Sequence, residues 1–312
     1  MKKILLLSLF VITIYGQGQF SGVTYFDYTY DLTEDAVNDA GFGLKRVYFT
    51  YQQELSDNIS YKFQTDIDYK SSPFNVYLKN AKIDWNSSIG KITLGMQGMN
   101  IFNVTEKTWG FRFLQKSPMD KYKFSSSADM GIGYSGKINN LNYSFMYTNG
   151  SGYKENENDE HKKISAQLVY GEKKLVKKDG FNIGTSFSIE PYDHESGETK
   201  NKTLMAFYGG YAGNGLRIGG EFDTHTDDGT NITQQIMAGY ASYKLSDKLE
   251  ALVYVDMYDP DTSTENDGNT DMIIGVNYRP EKGLTITPNL RTSTPDEGDA
   301  TTMFMLNFEF KF

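Results

Sequence analysis

Apolar and polar residues alternate along most of this 312-residue chain, in segments of about 9 to 13 residues. In residues 59–69 the odd positions are mostly apolar or aromatic, whereas Lys62 and Asp66 occupy even positions. The same alternation recurs in residues 141–148 and 181–190, and again at the C-terminus. Because successive side chains of a strand point to opposite faces, this period of two predicts β-strands.

Alternating strands form either a soluble sandwich or a membrane barrel with lipid outside and water inside. The polar faces here carry charged and small residues, as the wet lumen of a barrel requires. Tyr61 and Tyr69 lie on one face, eight residues apart, which is roughly 26 Å along a strand. At a tilt of about 40° they are separated by roughly 20 Å of membrane height, close to the spacing of two aromatic girdles. The pattern predicts an all-β protein, a transmembrane antiparallel β-barrel.

Connections between the alternating segments are short and long in turn. Short links fall at residues such as 56–58 and 138–140, and long links at residues such as 31–41 and 191–200. Residues 172–180 are a longer, basic member of the short set, expected at the rim of the barrel. Counting the segments between links predicts sixteen strands, with fourteen as the alternative because residues 74–85 and 201–212 are ambiguous. In such barrels short turns face the periplasm and long loops face outside. The third connection on the outer side, Gly98–Ser127, runs to 30 residues.

Composition narrows the class further. Hydrophobic residues make up 38% of the chain and aromatic residues 14%, and mean hydropathy is -0.52. Beyond the N-terminus no run approaches the roughly 20 apolar residues of a membrane-spanning helix. With no Cys, disulfide frameworks and thiolate metal sites are excluded. The basic start, short apolar stretch and small residues of 1–18 predict a signal peptide, which leaves 19–312 as one barrel domain.

These features resemble the Gram-negative outer-membrane porins, which are sixteen-stranded trimeric channels. The resemblance rests on the alternating segments, the long third link, and the terminal Asn307-Phe308-Glu309-Phe310-Lys311-Phe312. It implies a water-filled channel for small hydrophilic solutes, located in the outer membrane among lipids and lipopolysaccharide. Phe312 would be the signal that the barrel assembly machinery recognises. The opening hairpin, residues 44–63, is faintly similar to the phosphate-selective porin family.

One departure from the porin pattern concerns assembly. Porins commonly latch their subunits with a long second loop, and the corresponding link Lys70–Pro73 is short. The resemblance therefore implies a homotrimer, whereas the short link argues against the usual latch between subunits.

In porins the third loop folds into the lumen and forms the constriction. Trp109, Phe111 and Phe113 favour an inward fold here, because such residues need somewhere to bury. The loop has a net charge of +3, whereas the chain without residues 1–18 has a net charge of -11, since Lys2 and Lys3 leave with that segment. The predicted constriction residues are Glu106, Lys107, Arg112, Lys116, Asp120, Lys121 and Lys123.

A positive collar at the narrowest point favours anions over cations, even in an acidic protein. We expect a modest anion preference, with Lys107 and Arg112 as the main contributors. The alternative is a solvated loop whose charges are neutralised by acidic neighbours.

Strand parity predicts further channel-lining side chains. For each of them the alternative is a structural charge paired with a neighbour, as Arg217 would pair with Glu221. The predicted lining residues are Arg46, Lys62, Asp66, Asp68, Arg217, Glu221, Arg279 and Arg291.

Three short motifs in the sequence resemble those of outer-membrane barrels that are enzymes. Asp66-Ile67-Asp68 and Asp223-Thr224-His225 resemble the Asp-x-Asp and Asp-x-His pairs of the omptin proteases, which activate a water. His194-Glu195-Ser196 has the His-x-Ser spacing of outer-membrane phospholipases, but it lies in an acidic loop. The chain is therefore predicted to be a channel and not an enzyme, with an omptin-like protease or a non-conducting structural or adhesive barrel as alternatives.

Cofactor and nucleic-acid signatures do not occur in the sequence. It contains no nucleotide fingerprint, phosphate-cradling Gly loop or metal-spaced His cluster, so no cofactor or metal is predicted. The acidic charge and membrane location argue against nucleic-acid binding. The expected permeants are small hydrophilic solutes or anions.

Overall fold

The computed structural model describes residues 18–36, 40–157 and 159–312. Apart from Gly18, the predicted signal peptide lies outside the described residues. The described chain forms sixteen strands and two short helices. In chain order they are β1 Gln19–Asp31, β2 Gly41–Glu54, β3 Ile59–Asp68, β4 Asn75–Ser87, β5 Gly90–Gly98, α1 Asn103–Trp109, α2 Pro118–Lys121, β6 Ala128–Ile138, β7 Leu141–Thr148, β8 Lys163–Gly171, β9 Gly180–Asp193, β10 Thr199–Gly213, β11 Leu216–Asp227, β12 Ile232–Lys244, β13 Leu249–Asp259, β14 Asn269–Tyr278, β15 Leu284–Pro295 and β16 Thr301–Lys311.

Each strand pairs antiparallel with its neighbour along the chain, and β1 pairs with β16 to close the barrel. The prediction of sixteen strands is confirmed, and the alternative of fourteen is wrong. The two ambiguous segments form β4 and β10. Closure leaves no free sheet edge, which is what a strand structure needs in lipid.

Side chains alternate between the two faces of the barrel wall, as the sequence pattern predicts. Large apolar side chains such as Ile132, Ile183 and Phe207 are exposed on the outer face. Polar side chains of opposite parity, such as Gln167 and Ser186, are buried. Among the described residues, no helix is long and apolar enough to cross a membrane.

The connections agree with the predicted short and long links, with one difference in extent. The predicted link Pro191–Lys200 is reduced to residues 194–198, because Tyr192 pairs with Lys200 in the ladder between β9 and β10. The strand ends that carry the short connections are called the short-turn end here; β1 begins and β16 ends at this end.

Phe312 follows β16 at the point where the barrel closes. Its backbone N–H donates to the Gly22 carbonyl at 3.2 Å, and the Gly22 N–H donates to the Phe312 carbonyl at 3.2 Å. The Phe312 ring lies over Gly22, where a Cβ atom would overlap it. The last residue therefore covers a gap that glycine leaves at the seam between β1 and β16.

We expect Phe312→Ser to lower the folded fraction of the protein several-fold. The variant loses the apolar ring that covers the seam, and without a closed seam β1 and β16 remain as unpaired sheet edges. The folded form is scored by its shifted gel mobility before and after boiling. Phe312→Tyr, which keeps the ring, is the control and should assemble as the natural chain does. Equal assembly of the Ser variant would show that this ring does not assist closure.

Candidate functional site

The third loop, residues 99–127, packs against inward-facing side chains of the barrel wall. Helix α1 contacts β10 and β11, and α2 contacts β12. Trp109 is 1% exposed, and its ring centroid lies 5.4 Å from that of Tyr240 and 5.0 Å from that of Tyr254. Phe111 and Phe113 belong to the same buried cluster. The aromatic side chains of the loop are thus buried on the inner surface of the wall.

A pair of glycines forms the depression that receives α1. Gly210 on β10 is in register with Gly219 on β11. A Cβ atom at either position would lie 2.6 or 2.7 Å from Cγ2 of Thr108. Tyr240 completes the contact, because its hydroxyl donates to the Thr105 carbonyl at 3.3 Å. The absence of two side chains therefore allows the helix to lie directly on the strands.

Ionic contacts attach the loop to the far part of the wall. The Lys121 ammonium binds Asp256 at 2.8 Å and also binds Asp271. Arg291 donates to the Leu114 carbonyl at 2.7 Å. Two acidic side chains of the wall thus share one ammonium group of the loop.

Arg112, predicted to be a main contributor, lies between two carboxylates of its own loop. It pairs with Glu106 and, at 2.7 Å, with Asp120, which also accepts Lys116 at 3.5 Å. Burial would raise the pKa of Asp120, but Arg112 and Lys116 hold it below its usual value. The charge of Arg112 is therefore largely balanced within the loop.

Lys107 and Lys123 form no ion pair within the described part of the chain. Burial lowers the pKa of Lys107 to about 8, and the positive charge of Lys174 acts in the same direction. Lys123 has a left-handed backbone with a φ of 62°. Among the described basic residues of the predicted constriction, Lys107 is thus half-buried and forms no ion pair.

On the strands, Arg46 and Asp66 form an ion pair at 2.9 Å. Asp66 also accepts the Tyr77 hydroxyl at 2.9 Å, and Asp68 pairs with Lys154 at 3.5 Å. These predicted lining residues are therefore mostly engaged with one another or with nearby side chains.

The expected pair of Arg217 with Glu221 is wrong. Arg217 instead pairs with Glu250 at 3.5 Å and donates to the Trp109 carbonyl at 3.2 Å. Glu250 also accepts Arg279 at 2.5 Å, and Glu221 is buried on the strand that α1 contacts. Residues four apart in a strand share a face but lie about 13 Å apart along it, so a residue across the sheet is the better partner.

A cavity of about 780 Å³ lies between the third loop and the inner wall formed by the first eight strands and β16. Among the described residues, two carboxylates line it, Glu106 and Glu309. We call it the basic cavity because nine basic side chains line it: Lys62, Lys79, Lys82, Lys91, Lys107, Arg112, Lys173, Lys174 and Lys311.

The connection between β8 and β9, residues 172–179, also reaches the third loop. The Val176 N–H donates to the Lys107 carbonyl at 3.0 Å, and Leu175 is 3% exposed. The sequence places this basic link at the rim of the barrel, whereas the structure brings its middle against the loop. Lys173 and Lys174 are thereby added to the lining of the basic cavity.

Sequence reasoning missed most of the lysines of this cavity. Lys82 and Lys91 have inward parity and share the carboxylate of Asp84, at 2.8 and 3.7 Å. Lys79 lies at a register shift between β3 and β4, where Leu78 pairs with Thr65 and Asn80 with Gln64. Parity could have identified Lys82 and Lys91, but a β-bulge breaks the period of two on which parity depends.

The omptin-like pairs are not brought together. Asp66 and Asp68 lie on β3, whereas Asp223 and His225 lie on β11, eight strands away around the barrel. His225 Nδ1 contacts Gln234 Oε1 at 3.1 Å. Across the described ranges, no group of three or more His, Asp or Glu side chains could hold a metal ion.

The phospholipase-like pair is equally isolated. Nδ1 of His194 contacts Oγ of Ser196 at 3.0 Å in the exposed connection between β9 and β10. This histidine and serine are therefore neighbours within one turn, away from the inner wall.

No protein-family profile and no curated protein matches this chain. Solved structures of outer-membrane barrels do. OprB from Pseudomonas putida is 11% identical with a TM-score of 0.73, covering 95% of this chain and 94% of OprB. An anion-selective porin from Comamonas acidovorans is 12% identical with a TM-score of 0.71, covering 95% and 99% of the two chains.

A third similar structure is a trimer form of OmpT, an outer membrane protein of Vibrio cholerae. It is 12% identical with a TM-score of 0.66, covering 95% of this chain and 99% of OmpT. Likeness at these identities concerns the fold. The chain has the closed sixteen-stranded fold of the outer-membrane porins, as its sequence predicts.

Proposed function

We propose that this protein is an outer-membrane channel for the passive diffusion of small hydrophilic solutes and ions, with a modest preference for anions. The observation that carries the proposal is the basic cavity, where nine basic side chains face two carboxylates. An ion in a narrow passage with low-dielectric walls responds to the charges that line it. One similar structure is described as an anion-selective porin.

The net negative charge of the chain does not oppose this proposal, because much of it lies elsewhere. Asp256 and Asp271 are bound by Lys121, and Glu221 and Asp223 are buried on the strand against which α1 packs. Charges that lie farther from the cavity than the Debye length, about 10 Å at 0.1 M salt, contribute little to the field inside it. Total charge is therefore a poor guide to selectivity.

In this proposal the third loop forms the constriction, and its residues differ in role. Arg112, with Glu106 and Asp120, is a balanced cluster that holds the loop in shape. Lys121 attaches the loop to the wall. Lys107 is the loop residue whose unpaired positive charge acts on ions that pass through the channel.

The decisive experiment is a planar bilayer recording with purified protein. We expect stepwise conductance, and in a potassium chloride gradient a zero-current potential whose sign indicates anion preference. A cation-selective channel would contradict the role of the basic cavity. A protein that inserts without conducting would favour the structural or adhesive barrel instead.

Selectivity should also depend on pH through Lys107. Its pKa of about 8 lies well below that of an ordinary lysine. A lysine carries its charge below the pKa, so the charged fraction falls from about nine-tenths at pH 7 to about one-tenth at pH 9. We expect the anion preference to weaken over this interval.

The matched control for the pH effect is Lys107→Arg, because arginine keeps its charge throughout this range. The zero-current potential of this variant should change much less between pH 7 and pH 9. An identical pH response in the natural chain and the variant would assign the effect to another group.

Two further elements of the proposal concern biogenesis and assembly. Residues 1–18 act as a cleaved signal peptide, and the barrel assembly machinery inserts the mature chain among lipids and lipopolysaccharide. The chain assembles as a homotrimer, which the trimer form of a structural neighbour supports. Light scattering of the detergent-solubilised protein, corrected for bound detergent, tests the subunit number.

A further inference from the structure

We propose that the basic cavity contains a binding site for a small anion with two or more negative charges, formed by Lys107 of the third loop and by Lys173 and Lys174 of the β8–β9 connection. The inference deepens the proposed function by adding saturable recognition to diffusion, and it rests on that function for ligand access through the channel.

The backbone brings these lysines to one place. The Val176 N–H donates to the Lys107 carbonyl at 3.0 Å, which joins the connection to the third loop. Gly110 permits this approach, because its φ is +80° and a Cβ atom there would lie 2.7 Å from Cγ2 of Val176. Lys173 and Lys174 precede this contact, and they line the same cavity as Lys107.

The three lysines have no carboxylate to balance them. Within the described ranges, Lys107, Lys173 and Lys174 form no ion pair, whereas Lys178 of the same connection pairs with Glu172 at 3.3 Å. Glu106 and Glu172 are the acidic groups near the cluster, and they are engaged by Arg112 and Lys178.

The lowered pKa values of these lysines also show that their positive charges lie close together. Burial lowers the pKa of Lys173, and Lys91 and Lys174 lower it further. Burial likewise lowers the pKa of Lys107, with added repulsion from Lys174 and Lys173. These mutually repelling ammonium groups would be stabilised by a ligand that supplies several negative charges at once.

The chemistry of the lysines and the size of the cavity also limit the kind of ligand that can bind. Lysine ammonium groups are compact point donors that suit phosphate and carboxylate oxygens. The cavity volume of about 780 Å³ lies within the range of small-molecule sites. The class is therefore a small phosphorylated or polycarboxylate anion, bound more tightly than chloride because several of its charges interact together.

The test is equilibrium binding to the full mature barrel in detergent, measured by calorimetry at constant ionic strength. Pyrophosphate and citrate are the probes, so that phosphate and carboxylate chemistry are distinguished. We expect saturable binding of at least one probe. In Lys173→Gln/Lys174→Gln we expect its affinity to fall by at least about tenfold, because two charge-assisted contacts are lost.

The matched control is Lys177→Gln/Lys282→Gln, which removes the same charge at two exposed positions that do not line the cavity and that form no ion pair within the described ranges. Its affinity should stay within about twofold of the natural chain, a difference of less than half a kcal/mol. Single Lys174→Gln, an exposed position, provides a second variant should the double variant fold poorly.

Absence of binding to the natural chain would overturn the inference, and so would equal weakening by the two double variants. Neither result depends on conductance, because binding is measured without transport. A channel that prefers anions but binds neither probe would retain the proposed function and lose this site. A barrel that binds a probe without conducting would retain the site and lose the channel.

Discussion

Replacing Trp109 by Ala is expected to release the third loop from the inner wall and to raise the single-channel conductance. Trp109 is almost fully buried against Tyr240 and Tyr254. Truncating a buried tryptophan typically costs about 3–5 kcal/mol. The barrel itself is closed by strand pairing that this change does not touch. The loss therefore falls on the attachment of the loop.

Two measurements would detect a released loop. Conductance in potassium chloride should increase and fluctuate more, because the obstruction is no longer fixed. Trypsin should cut the folded variant within residues 107–123, a segment with four lysines and one arginine that Lys121 attaches to the wall in the natural chain.

The chain supplies its own control, since it has only two tryptophans. Trp85 on β4 is 46% exposed on the outer face. Trp85→Ala should leave both conductance and trypsin resistance unchanged. A Trp109→Ala barrel that conducts and resists trypsin like the natural chain would mean that the aromatic cluster does not hold the loop.

The barrel could be predicted from sequence because its physical cause is repeated along the chain. Each membrane strand must present apolar side chains to lipid at every second position, and this constraint recurs sixteen times. The weakest segments became β4 and β10. In β4 the register shift beside Lys79 interrupts the alternation. In β10, Gly209 and Gly210 have no side chain to show which face is apolar.

The candidate site was predictable only in part, because charge counts do not reveal pairing. The third loop has a net charge of +3 by sequence, yet Arg112 and Lys121 are balanced by nearby carboxylates. Lys173 and Lys174 were visible as a basic link, but no periodicity indicates the direction in which a connection folds. That direction depends on the contact of Val176 with the third loop.

Selectivity should reverse when the unbalanced lysines of the basic cavity become acidic. Lys62 and Lys107 line the cavity, and within the described ranges neither forms an ion pair. Lys62→Glu/Lys107→Glu changes the local charge by four units without removing a partner from an existing pair. Arg112 is unsuitable for this purpose, because glutamate there would face Glu106 and Asp120.

The expected result is a zero-current potential of opposite sign in a potassium chloride gradient, since a permeating ion responds mainly to charges within about 10 Å at 0.1 M salt. The control, Lys248→Glu/Lys282→Glu, makes the same change in total charge on two turns at the short-turn end that do not line the basic cavity. It should shift the potential only slightly. Equal shifts in the two variants would mean that total charge governs permeation, whereas reversal in the cavity variant alone would locate the filter at Lys62 and Lys107.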